Sequence, residues 1–508
     1  MGIPSYFSYI IKNYPNIIRK FEDFEKFDHL LMDCNSIIYD VYNSIEKNHV
    51  NHPIDVSKIE DLILYEVVEK IKSYIHYISP KYSVFIAFDG VAPFAKMDQQ
   101  RKRRYKSEFM QSIENKNKLW NTTNITPGTL FMKKFSKHIY DTFRNKETEY
   151  GLKEINISCS DEYGEGEHKL FDYIRQNNLK NDNVALYGLD SDLIMLSIFH
   201  VEYTKNIVIF REAPEFKLFP KKKEPNEKLF MNIEKLYVAI KHEMMNQNVK
   251  DYMFMCILLG NDFMPHLIAL NIRTNGLNIL METYRNHIGK YKDRMFLNEK
   301  NEIQWKWVQL FFNELAKREH EYILHEYSIR EKMERDIWTN KEQTIENFML
   351  NLPILYRQEE KYVCPTENGW ETRYYRELLH VERSHEESIK KISEEYKKGI
   401  DWVVKYYSGK KKNEGWKYSK DYGPLIKDVV KEMSRSMEEE YGERMNEKMQ
   451  LAYVLPKSQL RLLNNKKLEE RIKKEENYEM KYGYERYIWE GHPKLEEISI
   501  ERLKEWIV

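Results

Sequence analysis

A chain of 508 residues is long enough for two or three structural units around a sizeable buried core. Its 81 basic and 81 acidic side chains cancel to a formal net charge of zero, so bulk charge cannot hold nucleic acid and any such binding needs a local basic patch. The 32% of charged residues, the strongly negative mean hydropathy and the lack of an apolar run that could span a bilayer predict a soluble protein with no membrane role.

Asn, Pro and Lys interrupt the N-terminus too early for a signal peptide, and Tyr6 stands where myristoylation needs Ser or Thr. Cys34, Cys159, Cys256 and Cys364 show no paired spacing, which predicts reduced, packed thiols in an intracellular protein.

Taken in order, the first strand is predicted near 29–33, where Leu30-Leu31-Met32 closes on Asp33. The second, near 84–89, closes on Asp89. Residues 93–106 then read as a basic helix. A third strand near 155–159 leads into Gly164-Glu165-Gly166-Glu167-His168. The spacing of Leu170, Phe171 and Ile174 fits one apolar helix face, so Glu165 and Glu167 belong to that helix's first turn, where its dipole tolerates anions. A strand near 184–188 precedes Asp190 and Asp192, and another is predicted near 206–210. Residues 213–226 read as a surface loop carrying Lys221-Lys222-Lys223. Leu258-Leu259-Gly260-Asn261-Asp262 repeats the pattern of an apolar run that ends in an acid, and is read as strand-like too. Beyond residue 300 the pattern turns helical, with long stretches at 307–338 and 381–407 and a loop-like segment, 351–370, between them. The expected division is an α/β core of residues 1–350, a connection of 351–370 and a mostly helical region of 371–508.

Short strands alternating with helices predict an α/β fold, a mainly parallel central sheet flanked by helices, with a helix-rich C-terminal region packed against it. Acids at strand C-termini gather at one edge of such a sheet. Taken singly, each could be a helix cap or turn residue. The repetition, and the Asp190-x-Asp192 and Glu165-x-Glu167 spacings, do not follow from capping. Seven clustered carboxylates raise one another's pKa unless a cation intervenes. Hard oxygen ligands favour Mg²⁺ or Mn²⁺, and this many suggest two ions.

On the basic helix Lys96, Gln100, Arg103 and Arg104 fall at i, i+4, i+7 and i+8, one face, suited to a terminal phosphate. A solvated basic face is the plainer reading of such a run; its position next to the acidic cluster favours a phosphate pocket instead.

Met32-Asp33-Cys34-Asn35-Ser36, Phe88-Asp89-Gly90, Gln99-Gln100-Arg101 with Arg103-Arg104, Ile125-Thr126-Pro127-Gly128-Thr129, Gly164-Glu165-Gly166-Glu167-His168-Lys169, Gly188-Leu189-Asp190 with Asp192 and Gly260-Asn261-Asp262-Phe263 resemble, in order, the motifs of the Xrn family of 5′-to-3′ exoribonucleases. The resemblance is dense over the first 270 residues. It thins through Asp401-Trp402-Val403, Tyr406-Tyr407, Trp416 to Pro424 and Leu451 to Pro456, and the chain looks like a compact form of the enzyme, with the PIN/FEN-like nuclease core. The resemblance implies that Asp33, Asp89, Glu165, Glu167, Asp190, Asp192 and Asp262 hold two Mg²⁺ ions, with Mn²⁺ able to substitute. It also implies that Lys96, Gln100, Arg103 and Arg104 grip a 5′-monophosphate. Tyr39 replaces a base-stacking His of the family, and Trp416 matches its stacking Trp, although Glu414 stands where a second Trp is usual. A Tyr can stack but carries no proton at neutral pH. Trp402, between apolar neighbours, is expected in the core.

The expected function is processive 5′-to-3′ digestion of single-stranded RNA bearing a 5′-monophosphate, by a cytoplasmic monomer linked functionally to a decapping enzyme, with a nuclear site left open. The rival readings are a flap-type structure-specific DNA nuclease and a non-catalytic RNA-binding scaffold. The first would follow its last Asp with a Gly-rich hairpin, where this chain has Phe263-Met264-Pro265-His266. The second has no need to keep seven costly acids.

Overall fold

The computed structural model describes residues 3, 5–49, 55–114, 118–212, 227–245, 248–339, 344–438, 441–472, 474 and 477–507. The lysine-rich stretch 213–226 lies outside the described residues.

All five predicted runs form strands: β2 (His29–Asp33), β3 (Ser83–Ala87), β4 (Glu154–Ser158), β5 (Asn183–Tyr187) and β6 (Asn206–Glu212). Two further strands, β1 (Ile18–Arg19) and β7 (Lys228–Asn232), complete a seven-stranded sheet in the order β1-β7-β6-β5-β2-β3-β4. The strands from β6 to β4 are parallel, and β7 pairs antiparallel with both β6 and β1. The chain starts the parallel block at its middle strand, β2, and moves outward through β3 and β4. It then returns to lay β5 and β6 on the other side. The switch point therefore falls between β2 and β5, where open α/β sheets form their crevice.

Side chains alternate between the two faces of the sheet. Leu30, Met32, Val84 and Ile86 pack with the helices α1 (Asn35–His49), α2 (Ile59–Ile78) and, past the basic α3 (Phe94–Glu114), α4 (Leu130–Phe143). Leu31, Phe85, Leu186 and Ile209 face α5 (Gly166–Gln176), α6 (Asp192–Phe199) and α7 (Val249–Ile257). Burial on both faces is why these strands read as nearly continuous apolar runs.

The run before Asp262 departs from expectation. It belongs to α7 and the turn that follows, and every residue from Asp251 to Gly260 is buried. A helix that is apolar all round cannot be told from a buried strand by periodicity. The segment 351–370 is also no loop: Leu352–Tyr356 and Gln358–Val363 are helical. Its hold is a buried charge network, in which Nε of Arg357 and Nε of Arg330 both donate to Oε2 of Glu360, at 2.7 and 2.9 Å. Arg330 comes from α8 (Trp305–Thr339), one of the two long helices expected from the sequence; the other is α9 (Glu386–Tyr407). One apolar cluster runs from Ile3 through both of them to Tyr484. Two shorter helices, α10 (Ile426–Met433) and α11 (Glu447–Val454), pack on α8 and α3 respectively. Cys34, Cys159 and Cys256 are buried free thiols, and no described helix is long and apolar enough to cross a membrane.

Candidate active site

Asp33 ends β2 and pairs in register with Ala87, two residues before Asp89. The loop after β4 carries Glu165 as the N-cap of α5, with Glu167 in its first turn. Beyond β5 the chain reaches Asp190 and then Asp192, the first residue of α6. Asp262 follows α7. The sheet edge thus brings all seven predicted acids into mutual electrostatic reach: Asp33 feels Asp89, Asp190 and Glu165, while Glu167 feels Asp192 and Asp190, and Asp192 feels Asp262.

Glycine makes the approach possible. A Cβ on Gly166 would sit 2.6 Å from Oδ1 of Asp33, and the Gly166 amide donates to Oδ1 of Asp89 at 2.7 Å. Asn35, at the start of α1, fixes the other side of Asp89: its Oδ1 accepts from the Asp89 amide at 3.1 Å and its Nδ2 donates to Oδ2. Behind the cluster Nζ of Lys169 donates to the carbonyls of Phe88 and Cys159 at 2.8 and 2.9 Å, tying the ends of β3 and β4 together.

Burial dominates the electrostatics. Glu165, Glu167 and Asp192 are 3%, 6% and 1% exposed. Burial, then Asp190 and Asp262, pushes the Asp192 carboxyl up to about 8. Burial also pushes Glu165 up to about 7 against the pull of Lys96, and lifts Asp33 and Glu167 well above the usual carboxylate range. Asp262 goes the other way: burial is the largest influence and raises it, but nearby cations, Lys96 foremost and Arg103 among them, together outweigh burial and hold the carboxyl below the usual range. Nζ of Lys96 bridges Glu165 at 2.7 Å and Asp262 at 2.9 Å. Oδ1 of Asp33, Oε1 of Glu167 and Nε2 of His168 are buried with no hydrogen-bond partner. Glu165, Glu167 and His168 can bring ligand atoms within 4.8 Å of one another. Orphaned anionic oxygens among mutually repelling acids fit a cation-binding centre, and a divalent ion would reverse the upward shifts. His168 adds a nitrogen to a set that the sequence reading took as all oxygen.

The four residues predicted to hold a phosphate point differently. Lys96 is committed to the acids. Gln100 is buried, its Oε1 accepting from Nε2 of Gln450 on α11 at 3.2 Å. Arg104 donates through Nη2 to Oγ1 of Thr126 at 2.6 Å, while its Nη1 is buried without a partner, and burial lowers its pKa to about 10. Arg103 lines a cavity beside Asp262. Tyr39 is half-buried within electrostatic reach of Arg104.

Two tyrosines of α9 reach the acids, and the sequence reading gave them no role. Tyr406 donates to Oε2 of Glu165, and Tyr407 donates to Oδ1 of Asp192 at 3.2 Å. Trp402, buried as expected, stacks on Tyr406 with ring centres 5.1 Å apart and planes 14° apart. Trp416 continues the column, 5.2 Å from Trp402. It is half-buried, and its Nε1 has no partner. Tyr39 and Trp416 pack against different apolar clusters. Glu414, in place of a family Trp, accepts from the Tyr163 hydroxyl at 2.6 Å.

Comparison with known proteins places this geometry in a family. The model described as "XRN 5'-3' exonuclease N-terminus" matches residues 1–213, and "Xrn1 helical domain" matches 243–363 and 355–466. The 5'-3' exoribonuclease 2 homolog of Drosophila melanogaster is 26% identical, over 90% of this chain and 64% of its own length. The 5'-3' exoribonuclease 1 of Saccharomyces cerevisiae is 24% identical, over 91% of this chain and 40% of its own, and that of Homo sapiens is 24% identical, over 91% and 31%. The chain thus spans less than two thirds of the length of these relatives. With six of the seven acids inside one matched region, and Asp262 and the α9 tyrosines inside the other, the chain belongs to the Xrn family.

Proposed function

We propose that the protein is a metal-dependent, processive 5′-to-3′ exoribonuclease that degrades RNA with a 5′-monophosphate to nucleoside 5′-monophosphates. The observation that carries this reading is the convergence of seven buried or half-buried acids at one sheet edge, with orphaned oxygens on Asp33 and Glu167. Two Mg²⁺ or Mn²⁺ ions held by Asp33, Asp89, Glu165, Glu167, Asp190, Asp192 and Asp262 would supply activation of the attacking water and stabilisation of the leaving 3′ oxygen.

The chain's own groups do the rest. Lys96 balances Glu165 and Asp262 while the acids stand alone, and is free to turn to a phosphate once cations take over that task. The unpartnered Nη1 of Arg104 and the side chain of Arg103 bind the 5′-phosphate, with Gln100 behind them. Tyr39 offers a ring to the first base beside Arg104, and Trp416 stacks on a base from the C-terminal region. Each cut leaves a new 5′-phosphate that enters the same pocket, which gives processivity. A pocket of this kind excludes a cap by size, so a decapping enzyme supplies the substrate, in the cytoplasm.

The test is incubation with matched RNAs carrying 5′-hydroxyl, monophosphate, triphosphate or cap, with and without Mg²⁺. Mononucleotide release from the monophosphate RNA alone, and only with metal, is expected. Equal digestion of duplex DNA flaps would favour the flap-nuclease reading, and binding without hydrolysis the scaffold.

A further inference from the structure

A cavity of about 440 Å³ opens beside Asp262 on another side of α3. Its lining along that helix is Ala95, Asp98, Gln99, Lys102, Arg103 and Lys106. At about 100° per residue these lie roughly a third of a turn around the helix from Lys96, Gln100 and Arg104. Arg103 alone belongs to both sets. The volume is that of a small-molecule site.

Charge bookkeeping across the wall leaves a cationic remainder. Asp98 is paired with Lys102 and Lys417 at 3.2 and 3.1 Å, and Asp421 with Lys102 at 2.8 Å. Glu485 takes His492 at 2.8 Å, Glu490 takes Arg273, and Asp262 takes Lys96. Arg103, Lys106 and Lys420 line the same space and make no hydrogen bond or ion pair among the described residues. Three cations without an ion-pair partner on one wall describe a place suited to an anion. Trp489, 46% exposed on the same wall, offers a flat face for a base.

We propose that this cavity receives the nucleoside 5′-monophosphate released at each cut, and so separates product exit from RNA entry. The phosphate meets Arg103 and Lys106, and the base lies against Trp489. The origin of the ligand rests on the exoribonuclease reading; the site itself does not. Arg103, common to both faces of α3, stands where a phosphate passes from one to the other. A product leaving on this side does not collide with the RNA that advances along the Arg104 side.

The test is calorimetric titration of the full chain with AMP in EDTA, where no hydrolysis occurs, with adenosine and inorganic phosphate as separate arms. AMP is expected to bind at least tenfold more tightly than either part. The titration is run in the Arg104→Ala background, which disables the entry pocket, and adding Lys106→Gln to it should weaken AMP about tenfold, the loss of one charge-assisted bond. Trp489→Ala removes the exposed ring offered to the base, so its melting temperature without nucleotide should change little while its AMP-dependent rise shrinks. No AMP binding in the Arg104→Ala background, or binding left intact when Lys106→Gln is added to it, overturns the proposal. Digestion of 5′-monophosphate RNA is scored separately: a protein that digests RNA but does not bind AMP sinks this site alone, and one that binds AMP here but digests nothing sinks the enzyme reading alone.

Discussion

The Cβ that Gly166 lacks would lie 2.6 Å from Oδ1 of Asp33, so the spacing of two glutamates around a glycine is a packing requirement of the acidic cluster. Asp33 is the last residue of a strand paired on both sides through Met32 and is itself paired with Ala87, so its backbone has little room to retreat. Gly166→Ala should therefore displace the Asp33 carboxylate by rotation, at a cost of about 1–3 kcal/mol in stability. Activity should fall by at least about 100-fold, the usual consequence of a misplacement of about 1 Å at a reacting centre. Single-turnover digestion together with a melting curve checks this, and a variant that digests at the wild-type rate would remove Asp33 from the centre.

What could be read in the sequence follows from range. The strands that end at Asp33, Ala87 and Tyr187 were legible because short β-rich runs are local signals, and the acids after them inherit their place from the sheet. Strand β1, two residues long, carries no periodicity to read. Asp262 was placed correctly in the cluster but on the wrong element, since an all-apolar helix and a buried strand look alike. The bond from Tyr406 to Glu165 spans 241 residues, and the Arg330–Glu360–Arg357 network spans two helices; neither leaves a local trace. The pair Tyr406-Tyr407 at the end of a strongly amphipathic helix was the one available hint.

Tyr406 and Tyr407 should behave as positioning residues. Tyr406→Phe keeps the ring that stacks on Trp402 and removes only the hydroxyl on Glu165. A hydrogen bond to a charged group is worth about 1.5–3 kcal/mol, so the metal concentration for half-maximal activity should rise roughly tenfold or more, while the melting temperature in EDTA changes little. A metal titration unchanged from wild type would leave the tyrosine a purely structural role.

The acids make stability depend on pH in a definite direction. The folded Asp192 carboxyl sits at about 8 against an ordinary value of 3.8, so between those values the folded chain holds a proton that the unfolded chain has lost. Stability from this group is complete below about pH 4 and is lost as pH rises towards 8. In EDTA, Asp192→Asn should thus become progressively more stable than wild type from pH 5 to 8, and Mg²⁺ should erase the difference by stabilising only the wild type. The same variant should lack hydrolysis. Melting curves across that range decide it; a difference that shrinks with rising pH contradicts the assigned shift.

Arg104 presents one nitrogen to Thr126 and one to nothing. If the empty one awaits the 5′-phosphate, Arg104→Ala should narrow the preference for 5′-monophosphate over 5′-hydroxyl RNA by roughly 10- to 150-fold, chiefly by slowing the former. Thr126→Val, which removes only the support, should have a smaller effect in the same direction. An end preference untouched in Arg104→Ala would reduce this face of α3 to a structural one.

Tyr39 and Trp416 test whether the C-terminal region takes part in holding RNA. Tyr39 belongs to the cluster under α1, and Trp416 ends a column that runs through Trp402 and Tyr406 towards Glu165. Stacking on a base is worth about 1–3 kcal/mol per ring and is nearly blind to base identity. Tyr39→Phe retains the ring and should stay active, whereas Tyr39→Ala should lose rate and processivity on every sequence. Trp416→Ala has two separable consequences. Loss of the contact with Trp402 lowers the melting temperature, while loss of a base contact shortens the run of nucleotides removed per encounter. Digestion of a long 5′-monophosphate RNA in the presence of a trap, carried out well below the variant's melting temperature, separates them. Normal run lengths there, with a lowered melting temperature, would confine Trp416 to the core and leave RNA holding to α1, α3 and the acids.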